Sequence, residues 1–306
     1  MDEQHFTYSW VKMLDNLAWE IGYASKTGPK KVNEDRCMIL YKKIRDQGHI
    51  ILALVADGMG GHELGDRASE IVLRHVENWW DTSSVVKPGS SVDFSKVSYE
   101  LERLFKEINN HLNMIRYHEG FKLGTTLSLV FIHHHKYIVK HVGDSRVYHM
   151  TDDERPIRKK RAEARVEGPG FTLNQLTEDD SWVSYQIRQG NVKREEALHH
   201  PKRHILMQCL GIDEEVEVHE TRGEFKEGEM FVLCSDGFYS LYPPSQFPSL
   251  LLSQSGTLKE FVPSLVEDAA RSEQATDNLT LVMLKSPKTK QPKKSRWKQK
   301  VMNFFS

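Results

Sequence analysis

Five aspartates in this chain of 306 residues stand where short apolar runs begin or end. Asp57 follows the run 50–56 and Asp236 follows 230–235, and each is succeeded by a glycine, Gly58 and Gly237. Asp144 follows 137–143, Asp277 precedes 278–284, and Asp35 precedes 37–41. In an antiparallel sheet the C-terminal end of one strand lies beside the N-terminal end of its neighbour, so aspartates at strand ends and strand starts gather on one rim. Crowded carboxylates repel unless a cation neutralises them. A donor set made only of oxygens selects hard ions, Mg²⁺ or Mn²⁺, over Zn²⁺. One Asp-Gly pair is an ordinary turn signal; five aspartates at strand boundaries argue for a metal centre.

The elements that must position them are legible from periodicity. Short apolar segments bounded by Gly, Asp or polar residues predict strands at 50–56, 126–132, 137–142, 230–235 and 279–284. Val130-Phe131-Ile132, the polar His133-His134-His135-Lys136 and Tyr137-Ile138-Val139 predict an antiparallel hairpin. Its three histidines could take a transition metal, but a polar hairpin tip explains them as well. Helical spacing of Ala68, Ile71, Val72, Val76, Trp79 and Trp80 predicts a helix over 68–80. The same spacing predicts helices over 99–115 and 258–269. Strands and helices come in groups rather than in strict alternation, which favours antiparallel sheets covered by helices, an α+β fold. The Ser-, Pro- and Gly-rich 82–95 reads as a loop, and the charged 152–170 as a surface excursion.

Composition narrows the function classes. The chain is 39% hydrophobic and 28% charged with a formal net charge of −1, which argues against a dedicated nucleic-acid binder. Cys37, Cys209 and Cys234 are widely spaced and contain no C-x-x-C, so they predict neither a disulfide framework nor a zinc site. A cysteine-dependent phosphatase needs Cys-x₅-Arg; the residues six beyond these cysteines are Lys43, Glu215 and Ser240. Met1-Asp2-Glu3 is acidic where a signal peptide is basic, and the longest apolar run, 50–56, is too short to span a bilayer. The expectation is a cytoplasmic protein with reduced thiols.

Seven segments occur in order: Asn33-Glu34-Asp35-Arg36, Val55-Ala56-Asp57-Gly58-Met59-Gly60-Gly61-His62, Gly124-Thr125-Thr126, Val142-Gly143-Asp144-Ser145-Arg146-Val147-Tyr148, Leu176-Thr177-Glu178-Asp179, Cys234-Ser235-Asp236-Gly237 and Thr276-Asp277-Asn278-Leu279-Thr280. Together they resemble the bacterial branch of the metal-dependent, type 2C protein serine/threonine phosphatases, over roughly 21–284. The resemblance implies two antiparallel β-sheets packed as a sandwich flanked by helices. It also implies hydrolysis of phosphoserine and phosphothreonine in substrates of a serine/threonine kinase. Two Mn²⁺ or Mg²⁺ ions, with a third more weakly held, are the implied cofactors. By the same resemblance Asp57 bridges two ions and the Gly58 carbonyl completes one shell. Asp236 and Asp277 hold one ion, Asp35 is counted among the ligands, and Glu34 stands behind them through water. Asp144 helps Asp236 hold the third ion, whereas Gly124-Thr125-Thr126 and Arg146 are structural.

This chain departs from the family pattern in places. Lys30 stands where relatives usually carry the phosphate-gripping Arg; it supplies charge but not a bidentate fork. Met59 occupies the place of a general-acid His in eukaryotic relatives, and His62 is nearby. Asp180 stands where relatives often have His, at the entrance to the flap 181–211 that shapes substrate choice. Two alternatives to a general phosphatase follow: a pseudophosphatase that only binds, or a specialised phosphatase with a single regulatory partner. Outside the core, 1–20 reads as an N-terminal extension and 285–306 as a tail with eight Lys or Arg residues and no acidic residue. In the tail, Trp297, Val301, Phe304 and Phe305 form an apolar stripe at helical spacing. Such a segment suits docking on an anionic membrane surface or in a partner's groove.

Overall fold

The computed structural model describes residues 9–11, 18–44, 48–60, 64–87, 92–151, 165–168, 171–252 and 256–288. His62, most of the charged excursion and the aromatic end of the tail lie outside them. In chain order the strands are β1 (Ser9–Val11), β2 (Glu20–Lys26), β3 (Asp35–Ile44), β4 (Gly48–Gly60), β5 (Leu123–Thr125), β6 (Leu127–His133) and β7 (Lys136–Val142). They continue with β8 (Arg146–Thr151), β9 (Arg165–Gly168), β10 (Phe171–Gln175), β11 (His219–Glu224), β12 (Met230–Cys234) and β13 (Leu279–Lys285). The helices are α1 (Leu64–Thr82), α2 (Phe94–Glu119), α3 (Trp182–Arg188), α4 (Asp236–Leu241), α5 (Phe247–Leu252) and α6 (Leu258–Ala270).

Two sheets form. One runs β1-β3-β4-β6-β7-β11, with β5 beside the end of β4; the other runs β2-β13-β12-β8-β10-β9. Every pairing is antiparallel except β1 with β3, a parallel edge contact that periodicity does not announce. The predicted hairpin is β6–β7, in register from Leu127 opposite Val142 to His133 opposite Lys136. Its turn places His134 at φ 52, the left-handed conformation that a tight reversal requires. Residues 165–168, read from sequence as part of a surface excursion, pair with β10 as β9.

The continuous apolar runs are explained by burial on both faces. Period-two alternation sends Met38, Leu40, Leu52 and Leu54 outward, where they meet Val72, Val76 and Trp80 of α1 and Leu101, Phe105 and Ile108 of α2. The alternate residues Cys37, Ile39, Ile51, Ala53 and Val55 face the other sheet and pack with Phe231, Leu233, Val282 and Leu284. The remaining face of that sheet, through Val232, Cys234, Leu281 and Met283, is covered by Phe238, Val262 and Val266. The result is four layers, helix–sheet–sheet–helix, as predicted. Helix ends are fixed locally. Asp93 accepts from Ser95 N and Lys96 N at the start of α2, Gly120 closes it at φ 74, and Thr257 with Glu260 forms a capping box on α6.

Candidate metal centre

The structure brings the sequence-predicted aspartates together at one rim. Asp35 opens β3 and lies directly opposite Asp57 of β4. Asp57 is not at a strand end, as the sequence suggested. β4 pairs with β6 over 50–55 and with β5 over 58–60, so Asp57 sits where the strand changes partner. The break is stitched by the threonine segment: Thr126 N and Thr125 Oγ1 donate to the Asp57 carbonyl at 2.8 and 3.0 Å, and Asp57 N donates to Thr126 Oγ1 at 3.0 Å. Asp236 begins α4, Asp277 lies just before β13, and Asp144 lies in the turn between β7 and β8.

Gly58 could be no other residue without rearrangement. A Cβ there would lie 2.0 Å from the Gly65 carbonyl oxygen and 2.8 Å from that of Glu34. Gly58 N donates to that Glu34 carbonyl at 3.1 Å, Ser69 Oγ donates to it at 2.6 Å, and Gly65 N donates to Glu34 Oε1 at 3.1 Å. Glu34 therefore clamps β4 to the start of α1.

The electrostatics follow from crowding. Burial, then the charges of Asp35, Asp236, Asp144 and Asp277, push the Asp57 carboxyl well above the ordinary carboxylate range. Burial first, then Asp236 and Asp179, raise Asp144 in the same way. Burial likewise pushes Asp35 up to about 7, against the hydrogen bond from Ser235, whose Oγ donates to Asp35 Oδ2 at 2.6 Å. The other Asp35 oxygen, Oδ1, is buried with no hydrogen-bond partner. An orphaned carboxylate oxygen on Asp35, directly opposite an Asp57 carboxyl that feels three further aspartates, fits a hard divalent cation.

Lys30 stands at the mouth of this cluster, its Nζ 2.9 Å from Asp277 Oδ1. Burial pulls its pKa down, but the hydrogen bond and charge of Asp277, with Asp236 and Glu34 behind, prevail and hold it above the usual lysine value. Arg146 is structural: it forks onto Asp179, with Nη2 at 2.6 Å from Oδ2, and its guanidinium lies 3.6 Å from the centre of the Tyr239 ring in α4.

Sequence reasoning missed the residues that hold the ligands. Asn278 accepts from Glu34 N at 2.9 Å and donates to the carbonyls of Thr27 and Val32 at 2.7 and 3.0 Å, pinning the loop that carries Lys30 and Glu34. Ser235 also accepts from Thr280 N, so it ties β12 to β13 beneath Asp35. Both lie inside the motif segments, but nothing in their spacing marks them. His204, in the flap, has Nδ1 3.6 Å from Asp236 Oδ2. It lines a cleft of about 390 Å³ with Arg194, Arg203, Asp179, Asp236 and Tyr239.

Comparisons with known proteins point to one family. A family model described as protein phosphatase 2C matches residues 24–279. The chain is 29% identical over 237 residues to a serine/threonine phosphatase Stp of Listeria innocua, covering 76% of this chain and 83% of that protein. The crystal structure of the Mycobacterium tuberculosis serine/threonine phosphatase PstP superposes with a TM-score of 0.68 at 26% identity, over 88% of this chain and 99% of that one. A PstP catalytic domain solved with two manganese ions gives a TM-score of 0.65 at 25% identity, over 88% and 100% of the two chains.

The raised carboxyls have a consequence for the protein stripped of metal by EDTA. A carboxyl whose folded pKa is raised contributes stability below its unfolded pKa, about 3.9, that is lost as pH rises through the folded value. For Asp35 that window ends at about 7, and Asp57 and Asp144 act in the same direction. Urea denaturation in EDTA is expected to give greater stability at pH 5.5 than at about pH 8, and saturating Mn²⁺ is expected to shrink that difference.

Proposed function

The chain belongs to the protein phosphatase 2C family, and we propose that its carboxylate rim holds Mn²⁺ or Mg²⁺ for the hydrolysis of phosphoserine and phosphothreonine in proteins. The observation that carries this reading is the convergence of Asp35, Asp144, Asp236 and Asp277 on the buried Asp57 carboxyl, with the Oδ1 of its register partner Asp35 buried and without a hydrogen-bond partner. Asp57, Asp236 and Asp277, with the Gly58 carbonyl and Asp35, would hold two ions, and Asp144 with Asp236 a third. Ions there supply a water of lowered pKa for in-line attack on phosphorus and neutralise charge on the phosphoryl oxygens.

The chain's own groups do the rest. Lys30 offers a point charge at the mouth of the cluster for the incoming phosphate. Arg194, Arg203 and His204 line the cleft beside Asp236 where residues flanking a phosphorylated side chain would lie. A cysteine nucleophile has no support: Cys37, Cys209 and Cys234 are buried, and burial pushes the Cys37 and Cys209 thiols up to about 12. A binding module without catalysis would have no need of five gathered carboxylates, and a general phosphatase is the better reading.

The test is phosphate release from a phosphothreonine peptide by the full-length protein. EDTA is expected to abolish it, Mn²⁺ or Mg²⁺ to restore it, and Asp57→Ala to lower kcat by about 100-fold or more. Lys30→Ala is expected to raise KM, and Lys30→Arg to leave KM unchanged or lower it. Turnover in EDTA equal to that with Mn²⁺, or an Asp57→Ala variant near wild type, contradicts the mechanism.

Among the described residues no helix is long and apolar enough to cross a membrane. We propose a cytoplasmic enzyme whose segment 285–306 docks it on an anionic surface, on the strength of eight basic residues and an aromatic end in the sequence. Removing 289–306 is expected to leave peptide turnover intact and to abolish sedimentation with phosphatidylserine-containing vesicles. Equal sedimentation of the truncated protein refutes the docking role.

A further inference from the structure

A second group of donors lies behind the rim. His141 is on β7, Asp180 is at the entrance to the flap, and His219 begins β11 where the chain returns from it. Each offers one ligand atom, and the three atoms lie within 4.8 Å of one another. The arrangement is built by the sheet: His141 and His219 are register partners across β7 and β11, and their rings stack at 4.9 Å between centroids.

His141 is 2% exposed. Its Nε2 lies 2.7 Å from the Glu178 carbonyl oxygen, and the Glu178 N–H also points at it from 3.1 Å; metal ligation calls for the tautomer with the proton on Nε2, donated to the closer carbonyl. The lone pair is then on Nδ1, which is buried and has no hydrogen-bond partner. An imidazole whose outer nitrogen is fixed by a backbone carbonyl, leaving the other bare, is the arrangement found behind metal-ligating histidines. Asp180 is held in place as well: Oδ2 accepts from Gly143 N at 2.9 Å and Gln208 Nε2 at 3.0 Å, while Oδ1 faces His219 Nε2 at 2.8 Å. The His219 side chain is 28% exposed and gives an ion a way in.

We propose that His141, Asp180 and His219 form a site for a transition-metal dication of the zinc type, distinct from the oxygen-only rim. Imidazole donors suit Zn²⁺ and its neighbours, whereas carboxylates and carbonyls suit Mg²⁺ and Mn²⁺. Around a tetrahedral zinc with bonds of about 2.0–2.1 Å, donors stand about 3.3 Å apart, so these three need to draw in by about 1.5 Å at most. Water takes the fourth position. The consequence is mechanical. Asp180 N donates to the Gly143 carbonyl at 3.0 Å, and Met207 N donates to the Asp180 carbonyl at 2.7 Å. An ion here fastens both roots of the flap to the end of β7, three residues before Asp144.

The test counts zinc on full-length protein. Metal-free chain is equilibrated with Zn²⁺, dialysed against excess Mg²⁺ to fill the rim, and analysed by atomic absorption. Wild type and Asp57→Asn are expected to keep one zinc per chain. His219→Ala is expected to weaken zinc binding at least about 100-fold. His219→Cys is expected to restore it, because thiolate is itself a zinc ligand; rescue by Cys separates ligation from a merely structural loss. The proposal is overturned by a wild type that keeps no zinc, by zinc lost in Asp57→Asn and so bound only at the rim, or by zinc retained in His219→Ala.

Discussion

Like charges held face to face set the terms for the rest of this molecule. Asp35 and Asp57 are register partners on adjacent strands, a placement in which opposed side chains lie about 4.5–5.5 Å apart. At that spacing, with an effective dielectric constant of about 20, two carboxylates repel by about 3 kcal/mol. A domain of this kind has a net stability of about 5–15 kcal/mol, so one such pair is a substantial fraction and five gathered carboxylates are more than the fold can leave uncompensated. Protons would relieve the strain in acid, and the divalent cations proposed for the rim would do so at neutral pH. On this account the site's chemistry and its expected dependence on metal for stability have one cause.

The surroundings make sense as devices that keep the carboxylates from moving apart. Asn278 fixes the loop 27–34, Ser235 holds one oxygen of Asp35, the threonine pair stitches the gap beside Asp57, and Arg146 braces α4 through Asp179 and Tyr239. Each of these residues rests on strands buried on both faces, where Val55, Leu233 and Val282 leave no room for adjustment. The flap is built differently: its residues from Asn191 to Glu196 are largely exposed and its fixed points are concentrated at its roots. A rigid rim beside an adaptable cleft is a workable division between an invariant reaction and variable phosphoprotein substrates.

Much of this was legible in the chain before any coordinates. The strands under the rim are apolar, short and bounded by turn residues, and their runs are continuous because each is buried on two faces; β4, β12 and β13 follow from that alone. The long helices α1, α2 and α6 show the one-sided spacing of elements that cover a sheet. The short strands β1, β8, β9 and β11 are not legible, since their pairing partners rather than their own residues decide them. The aspartates announced themselves by position. Asn278 and Ser235 did not, because a hydrogen bond across 244 residues, as between Asn278 and Glu34, leaves no trace in local spacing. His141 and His219 were silent for the same reason: the register of β7 against β11 makes them neighbours.

The central claim, that carboxylate repulsion at the rim is what the metal relieves, is tested most directly by thermal melting of wild type and Asp57→Asn with and without Mn²⁺. In EDTA, Asp57→Asn is expected to melt above wild type, because one of the opposed charges is gone. On adding Mn²⁺ the wild type is expected to rise by several degrees and the variant to rise much less. A variant that melts below wild type in EDTA and still gains the full rise from Mn²⁺ would contradict the account.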